Sequence, residues 1–172
     1  MTKMRDFEPG DAAAIASWVR DAHEMVLWSG KCGFTWPLDG GQILRFYERD
    51  SRRAWTLTCD GGEPVGHITL RTDTPGWTGR VGLVIVDPAE RGKGHAEAMV
   101  RHVVDHAFGE LGLHRVELGV YVQNAGAIRV YERLGFVREG LAREVAHAGG
   151  EWWSAYEMSV LAGEWKSPAA GR

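Results

Sequence analysis

This 172-residue sequence has few cysteines, no long apolar segment and no excess of basic charge. Cys32 and Cys59 are the two cysteines and form no CxxC pair, which excludes a disulfide framework and predicts reduced thiols in a cytoplasmic protein. No stretch approaches the roughly 20 apolar residues that a membrane-spanning helix needs, and the N-terminus has no signal-peptide core. We therefore expect a soluble protein with no membrane partner.

Acidic and basic side chains nearly balance, with 23 Asp and Glu against 20 Lys and Arg and a formal net charge of −3. No basic block or stripe is present to neutralise a phosphate backbone, so nucleic acid is not an expected partner. His102 and His106 have metal-ligand spacing on a predicted helix, but they fall on its polar side and no third ligand is indicated. We predict a solvated face for both histidines and no bound metal.

Glycine and tryptophan are abundant, with 23 Gly and 8 Trp, and 44% of the residues are hydrophobic, which is enough for a full core. No repeat or linker-like stretch divides the middle of the chain. Residues 1–165 are therefore predicted to form a single domain, and 166–172 a flexible C-terminal tail.

Hydrophobic periodicity and turn signals predict an α/β (α+β) domain with the element order αα, βββ, α, β, α, ββ. Asp11 is the predicted N-cap of the first helix, and Asp39 with Gln42 predicts a capping box at the second. The aromatic-rich, glycine-containing segment 25–37 is predicted to be a loop. The predicted helices run over 12–20, 40–47, 94–109 and 125–134, and the predicted strands over 54–59, 64–70, 81–86 and 116–122, before a hairpin around 148–150.

The passage from the third predicted strand into the next helix contains a glycine-rich turn. Gly92 and Gly94 allow successive N–H groups to point into one concavity at a helix N-terminus, which is typical of an anion-binding site. Arg91 and Lys93 add cationic side chains, which favours a pyrophosphate. A dinucleotide fingerprint is excluded because Glu97 stands where the third glycine belongs, and a P-loop because no Gly-Lys-Ser/Thr follows. A turn that merely caps a helix is the alternative.

A second segment follows in which Asn124 precedes a predicted helix that carries Tyr131 and ends before Gly135-Phe136. In this order the two segments resemble the GCN5-related N-acetyltransferase (GNAT) superfamily, and the resemblance covers nearly the whole chain. The stretch 113–118 and a Trp-containing C-terminal strand look most like its ribosomal-protein alanine acetyltransferase branch. The resemblance implies a GNAT fold, in which a mixed, largely antiparallel sheet is splayed between two central strands and flanked by helices.

The same resemblance implies acetyl-CoA as cosubstrate and assigns the residues that would bind it. Main-chain N–H groups of residues 91–96 would hold the pyrophosphate, and the backbone of two residues in the third strand would pair with the pantetheine arm. Asn124 would hydrogen-bond that arm from the other side, and Arg129 would reach the ribose phosphate or adenine. The implied cofactor-binding residues are Val84, Val86, Arg91, Gly92, Lys93, Gly94, His95, Ala96, Asn124 and Arg129.

Tyr131 is the catalytic residue that the resemblance implies, as the proton donor to the leaving thiolate. A phenol with a pKa of about 10 can protonate a thiolate whose conjugate thiol has a pKa of about 8.5 as the tetrahedral intermediate collapses. A backbone N–H within 83–85 would polarise the thioester carbonyl. A core aromatic packed against Phe136 is the alternative role for this tyrosine.

The general base is harder to assign, because Arg80 occupies the position at which many relatives carry an acidic residue. The candidates by location are Glu24, Asp39, His67, Glu117 and Ser154, and an ordinary surface or core role explains each of them better. A base is dispensable for an amine of low pKa. Deprotonating an α-amine of pKa about 7.8 at pH 7 costs about 1 kcal/mol, whereas deprotonating a lysine-like amine costs about 5 kcal/mol.

The predicted function is acetyl transfer to a primary amine by direct attack in a ternary complex, the acceptor being a protein N-terminal α-amine or a small-molecule amine. The predicted substrate-binding residues are Trp28, Trp36, Trp152 and Ser154, with Trp153 on the same side. A non-catalytic CoA-binding or sensing module is the alternative function, and a scaffold whose glycine-rich turn binds nothing is a third. Exposed aromatic surface leaves a homodimer open.

Overall fold

A computed structural model describes residues 1–166, which form one seven-stranded sheet with helices on both faces. The elements are β1 (Lys3–Asp6), α1 (Ala12–Ser17), α2 (Ala22–Ser29), α3 (Gly40–Arg49), β2 (Arg53–Thr58), β3 (Pro64–Thr74), β4 (Thr78–Val86), α4 (His95–Gly109), β5 (Arg115–Tyr121), α5 (Ala125–Arg133), β6 (Val137–Ala148) and β7 (Glu151–Leu161). The strand order is β1-β2-β3-β4-β5-β7-β6. Only Lys166 of the predicted tail lies within the described residues.

The predicted α/β class and the mixed sheet are confirmed, and the predicted central strand is β4, the fourth of seven. Two elements were not predicted. Strand β1 is short, lacks an alternating apolar pattern and pairs with β2 at the sheet edge. Helix α2 occupies the start of the segment 25–37 that was predicted to be a loop; its consecutive apolar residues conceal the helical period.

The two predicted N-caps differ in the structure. Asp39 accepts a hydrogen bond from the backbone N–H of Gln42 at 3.0 Å, as a helix N-cap does. The side chain of Asp11 makes no cap bond to α1. It is instead buried and accepts hydrogen bonds from the guanidinium of Arg5 and from the hydroxyl of Thr56, both at 2.7 Å. Asp11 therefore stands at the N-cap position of α1, as predicted, but its side chain does not cap the helix, because an ion pair with Arg5 of the first strand holds it.

Two apolar clusters pack the sheet against its helices. Met99, Val103 and Ile128 of α4 and α5 are buried in one cluster together with residues of strands β2, β3, β4, β5 and β7. The other cluster contains Ile15 of α1 and Ile43 of α3. Because α3 is held by this second cluster, its C-terminal end has a fixed position above the sheet, and that end lies beside the site described below.

The expected splay between two central strands is confirmed at β4 and β5. These strands pair in parallel only where Thr78, Gly79 and Arg80 meet residues 115–117, and further along they share no backbone pairing. On its other side, β4 pairs with β3, and β5 pairs with β7 along its whole length. The gap therefore leaves strand-edge N–H and C=O groups available to an extended ligand.

A β-bulge distorts β4 at the beginning of this gap. From His67 to Thr69 the strand β3 advances two residues, whereas the paired stretch of β4, from Gly82 to Ile85, advances three. Leu83 adopts a φ of +50°, which is uncommon for a branched residue. The bulge changes the alternation of β4, so that Val81 and Val84, three residues apart, both pack against the α4 and α5 cluster.

The histidine pair on α4 is only partly as predicted. His102 is exposed, but His106 is buried, with its ring 5.4 Å from the ring of Trp55 and its Nε2 2.9 Å from the guanidinium of Arg53. The predicted solvated face is therefore wrong for His106, because α4 lies against β2 on that side. Within residues 1–166 no cluster of His, Cys, Asp and Glu has the arrangement of a metal site. No helix in this part of the chain combines the length and apolarity needed to cross a lipid bilayer.

Candidate active site

A cavity of about 910 Å³ opens where β4 and β5 separate. Residues 81–86 of β4 and 118–121 of β5 line its two sides. One end of the cavity reaches the turn Arg91–Gly94, called the glycine loop below, which follows β4. The opposite end, at the beginning of β4, is lined by five charged side chains and is called the arginine end. These side chains are Asp50, Arg52, Arg71, Arg80 and Glu157.

The glycine loop has the backbone that the sequence predicted. Gly92 and Gly94 have φ values of +79° and +82°, a region that side-chain-bearing residues rarely adopt. Gly94 is the N-cap of α4 and provides no side-chain cap, so the first N–H groups of the helix remain available to an anion. Lys93 is paired with Glu90 at 2.9 Å, and this contact lowers the pKa of the Glu90 carboxyl group.

Asn124 and Tyr131 of the second predicted motif both line the same cavity, on the side formed by α5. The Asn124 side-chain oxygen caps α5 by accepting from the N–H of Ala127 at 3.3 Å, which leaves its NH₂ group free to donate. The side chain of Tyr131 is 7% exposed, and burial raises the pKa of its phenol to about 12. The phenol is therefore a neutral proton donor across the physiological pH range.

The structure gathers most of the predicted cofactor residues at the cavity and its glycine loop. Those lining the cavity are Val84, Val86, Arg91, Gly92, Ala96 and Asn124. Lys93, Gly94 and His95 complete the loop and the first residue of α4, with His95 Nε2 3.4 Å from Glu90. Arg129 is exposed on α5 and does not line the cavity.

The predicted substrate residues are more scattered. Trp28 lines the cavity and stacks on Phe34 with 5.7 Å between ring centroids. Trp36 and Trp152 are 43% and 64% exposed and lie outside the cavity lining. Ser154 also lies outside it, and its hydroxyl accepts a hydrogen bond from the N–H of Glu144 at 3.0 Å.

Two further contacts concern the tryptophans. Trp153 is buried, with its ring 4.6 Å from that of His23 and 5.2 Å from that of Tyr121. The indole nitrogen of Trp28 is buried and has no hydrogen-bond partner among residues 1–166. An indole N–H is a donor only, so this buried donor is left unsatisfied.

The predicted general-base candidates are mostly engaged in structural contacts. Glu24 lines the cavity, but its carboxylate accepts hydrogen bonds from Arg20, which lower its pKa. Asp39 caps α3, and Glu117 is paired with both Arg80 and Arg115. Neither of these two lines the cavity.

His67 is fully buried beneath α3 and outside the cavity lining. Burial lowers the pKa of its imidazole to about 4, so the ring is neutral at neutral pH. Its Nε2 lies 2.6 Å from the hydroxyl of Tyr47. This histidine therefore anchors α3 to β3 and has no access to a bound amine.

Sequence reasoning missed most of the arginine end. Arg80 was noted only for the missing base, and Asp50, Arg52, Arg71 and Glu157 were not singled out. The sequence could have indicated that Arg71 lies opposite Arg80, because a short hairpin joins β3 to β4 and sets the register of the two strands. The sequence could not have indicated that Arg52 and Glu157 approach them, because these residues lie far apart along the chain.

Comparisons with known proteins agree with this geometry. The family model for the acetyltransferase (GNAT) family matches residues 13–136. The L-amino acid N-acetyltransferase AaaT of Escherichia coli K12 is 33% identical over 105 residues, 60% of this chain and 65% of that protein. The spermidine N(1)-acetyltransferase of the same strain is 28% identical over 171 residues, 92% of this chain and 85% of that protein. Against several curated relatives, the match spans only 42% to 65% of the relative's own length.

Solved structures show the same fold. The structure of spermidine N-acetyltransferase from Vibrio cholerae in complex with CoA and spermine superposes with a TM-score of 0.80 at 22% identity, covering 95% of this chain and 96% of that one. These comparisons do not specifically indicate the ribosomal-protein alanine acetyltransferase branch, which stays a prediction. The predicted superfamily itself is confirmed by the family match, the motif order and the splayed sheet: the chain belongs to the GNAT acetyltransferase family.

Proposed function

We propose that this chain is an acetyl-CoA-dependent N-acetyltransferase that acetylates a small-molecule primary amine. The observation that carries the proposal is a single continuous cavity that joins the glycine loop, the strand edges of the gap, Tyr131 and the arginine end. The names of the relatives, which are N-acetyltransferases of amino acids and of spermidine, support both the activity and a small-molecule acceptor.

The residues present fit acetyl-CoA. The free N–H groups at the start of α4 and the side chain of Arg91 suit the negative charge of a pyrophosphate. The unpaired edges of β4 and β5 suit the amide groups of the pantetheine arm, with Val84, Val86 and Asn124 in position to pair with it. Acetyl-CoA supplies the activated acyl group, and the chain binds and orients it.

The proposed chemistry is a direct acyl transfer. The amine nitrogen forms a bond to the thioester carbonyl carbon, and the carbon–sulfur bond then breaks. Backbone N–H groups of residues 83–85 would stabilise the negative charge that develops on the carbonyl oxygen. Tyr131 would donate its proton to the departing sulfur and recover one from the ammonium group of the intermediate by way of solvent, which balances the protons.

A dedicated general base is not part of this proposal. The carboxylates at the arginine end, Asp50 and Glu157, are both paired with guanidinium groups. The pKa of the Asp50 carboxyl group is lowered by its hydrogen bonds from Arg52, which makes it a weaker base. The amine would therefore lose its first proton to solvent before it attacks.

The test is release of the CoA thiol from acetyl-CoA, measured over a panel of amino acids, monoamines, polyamines and short peptides with free N-termini. The expected result is acceptor-dependent release together with a stoichiometric N-acetyl product identified by mass spectrometry. Tight CoA binding with no release from any acceptor would instead support the non-catalytic CoA-binding module. Absence of CoA binding at millimolar ligand would overturn both functions.

A further inference from the structure

We propose that the acceptor amine also carries a carboxylate, which Arg52, Arg71 and Arg80 bind at the arginine end of the cavity. The acceptor would thus be an amino-acid-like zwitterion and not a polyamine. This inference rests on the proposed acetyl transfer, since it names the substrate class for the same cavity.

The first observation is a pair of like charges on neighbouring strands. Arg71 of β3 stands directly opposite Arg80 of β4, and both line the cavity. Like charges at directly opposite positions destabilise a sheet, and carboxylates offset the pair here, since Arg80 is paired with both Glu117 and Glu157. The Nε of Arg71 donates to Asp73, while the other two guanidinium nitrogens of Arg71, on a side chain 45% exposed, remain available.

The second observation is that Arg52 is oriented in advance. Its guanidinium lies over the ring of Phe46 at 4.8 Å, and its Nε and Nη2 donate to the two carboxylate oxygens of Asp50 at 2.7 and 2.9 Å. The remaining nitrogen, Nη1, donates to no carboxylate within residues 1–166. A methyl group on Gly82 would lie 3.6 Å from it, so this donor points at β4 where the gap begins.

The third observation is the balance of charge over the whole lining. Five cationic and three carboxylate side chains line the cavity, while Asp73 and Glu117, the further partners of Arg71 and Arg80, lie outside the lining. The cavity wall itself therefore presents more cationic than anionic groups. Arg91 belongs to the glycine loop and would be used by the pyrophosphate, whereas the arginines of the other end have no such use. The cationic side chains are Lys31, Arg52, Arg71, Arg80 and Arg91, and the carboxylates are Glu24, Asp50 and Glu157.

The carboxylates at this end are also already engaged. Asp50 accepts two hydrogen bonds from Arg52, and Glu157 accepts from Arg80 at 3.0 and 3.2 Å. A second or third ammonium group on the acceptor would therefore meet guanidinium groups and no free carboxylate. A carboxylate on the acceptor would instead find the donors of Arg52 and Arg71 that Asp50 and Asp73 leave unused.

The experiment compares matched acceptors at saturating acetyl-CoA: a set of L-amino acids, the carboxamide of each, and spermidine. We expect kcat/KM for the best amino acid to exceed that for its carboxamide by about tenfold or more, because a charge-assisted pair is lost in the amide. The α-amine of a carboxamide is less basic than the α-amine of the corresponding free acid, so a preference for the acid cannot come from a larger free-amine fraction.

Two arginine variants test the assignment to this end of the cavity. Arg71→Gln should bring the acid-to-amide ratio down about tenfold and leave KM for acetyl-CoA within about twofold. Arg101→Gln is the matched control, because Arg101 is also in an ion pair, with Glu97 on α4, but lies outside the cavity lining. The control should keep the ratio of the unaltered protein.

Binding to the protein loaded with CoA, measured by calorimetry with the same acids and amides, gives a readout that does not require turnover. Acid-selective binding that Arg71→Gln weakens would support the carboxylate site even if no acetyl transfer occurred, and the proposed activity alone would then fail. Acetyl transfer to spermidine or to the amides as efficient as to the acids would overturn the carboxylate site and leave the activity standing. An unchanged acid-to-amide ratio in Arg71→Gln and in Arg52→Gln would also overturn it.

Discussion

The two ends of the cavity recognise their ligands by different means. At the glycine loop the available groups are backbone N–H groups held by the φ values of Gly92 and Gly94. At the arginine end the available groups are side chains, and each guanidinium is held by a carboxylate, two residues away for Arg52 and Arg71 and on β7 for Arg80. The first end is thus a local backbone conformation, and the second is an assembly of distant residues.

This difference has a consequence for specificity. Backbone groups suit a ligand part that is constant, and members of a family can keep them while side chains vary. The arginine end can be altered by substitution without disturbing the loop, because β4 separates the two by more than six residues. The following predictions test whether the two ends are independent, beginning with the residue that lies between them.

Replacing the phenol that lies between the ends should have the largest effect. Tyr131→Phe removes the proposed donor to the thiolate, so kcat should fall about 10³-fold while KM for acetyl-CoA stays nearly constant. Since the pKa of this phenol is about 12, the rate of the unaltered protein should not decline between pH 9 and about 10.5 through loss of this proton.

The control for this variant is Tyr156→Phe on β7, because Tyr156 is half-buried and lies outside the cavity lining. The measurement is steady-state thiol release, with circular dichroism to establish folding. A Tyr131→Phe protein that retains the kcat of the control would contradict the proton-donor role and leave a packing role against Phe136, 5.9 Å away between ring centroids.

Lowering the pH should destabilise the protein through His67, which anchors α3, the helix whose C-terminal end lies beside the arginine end. The pKa of His67 is lowered from 6.5 in the unfolded chain to about 4 by burial, with Asp11 opposing the shift. The unfolded state therefore binds the proton first, so stability is complete above about pH 6.5 and falls by up to about 3 kcal/mol on the way to pH 4.

Urea unfolding between pH 7 and 4.5 measures this loss. Carboxyl groups titrate in the same range, so the informative quantity is the difference between variants. His67→Gln should have a shallower pH dependence of its unfolding free energy than His114→Gln, whose imidazole is exposed. Equal slopes in the two variants would show that His67 titrates normally and does not support α3 as a neutral ring.

The glycine loop should depend on its positive φ angles. Gly94→Val places a β-branched residue at φ +82°, which costs about 1–2 kcal/mol and opposes the loop conformation. KM for acetyl-CoA should rise about tenfold, whereas the acid-to-amide preference at the other end stays unchanged.

Gly112→Val is the matched control for the loop variant, since Gly112 has φ +60° after α4 and, like Gly94, open space around its Cβ position. Both variants should lose similar stability, measured by thermal unfolding, but only Gly94→Val should raise KM for acetyl-CoA. A rise of the same size in both would attribute the effect to general destabilisation.

The smallest expected effect is a displacement at the arginine end. A methyl group at Gly119 of β5 would lie 2.7 Å from Nη2 of Arg80, so Gly119→Ala should shift this guanidinium without removing its charge. We expect KM for the acceptor to rise about threefold with KM for acetyl-CoA unchanged. Gly140→Ala on β6, where nothing lies within 4 Å, is the control. A change in acetyl-CoA binding in Gly119→Ala would show that the two ends are coupled.

Much of the fold could be predicted from local patterns. The hairpin of β2 and β3, the central strand β4, and helices α4 and α5 follow from alternation, helical periodicity and turn residues. Strand β1 and helix α2 could not be predicted, because neither carries a periodic pattern and both are stabilised by neighbours. The burial of His106 was missed for the same reason: the polar side of an isolated helix becomes an interface when another strand covers it.

By itself, the sequence determined the family and the glycine loop, because positive φ angles, a helix start and the residues that follow lie within a few positions of one another. Only the tertiary structure decided where β4 and β5 part, and that Arg52, Arg71, Arg80 and Glu157 meet there. Side chains from three strands and a loop are brought together by sheet register and helix packing. Sheet register and helix packing arise from the whole core and from no single segment, which is why the arginine end could be recognised only from the fold.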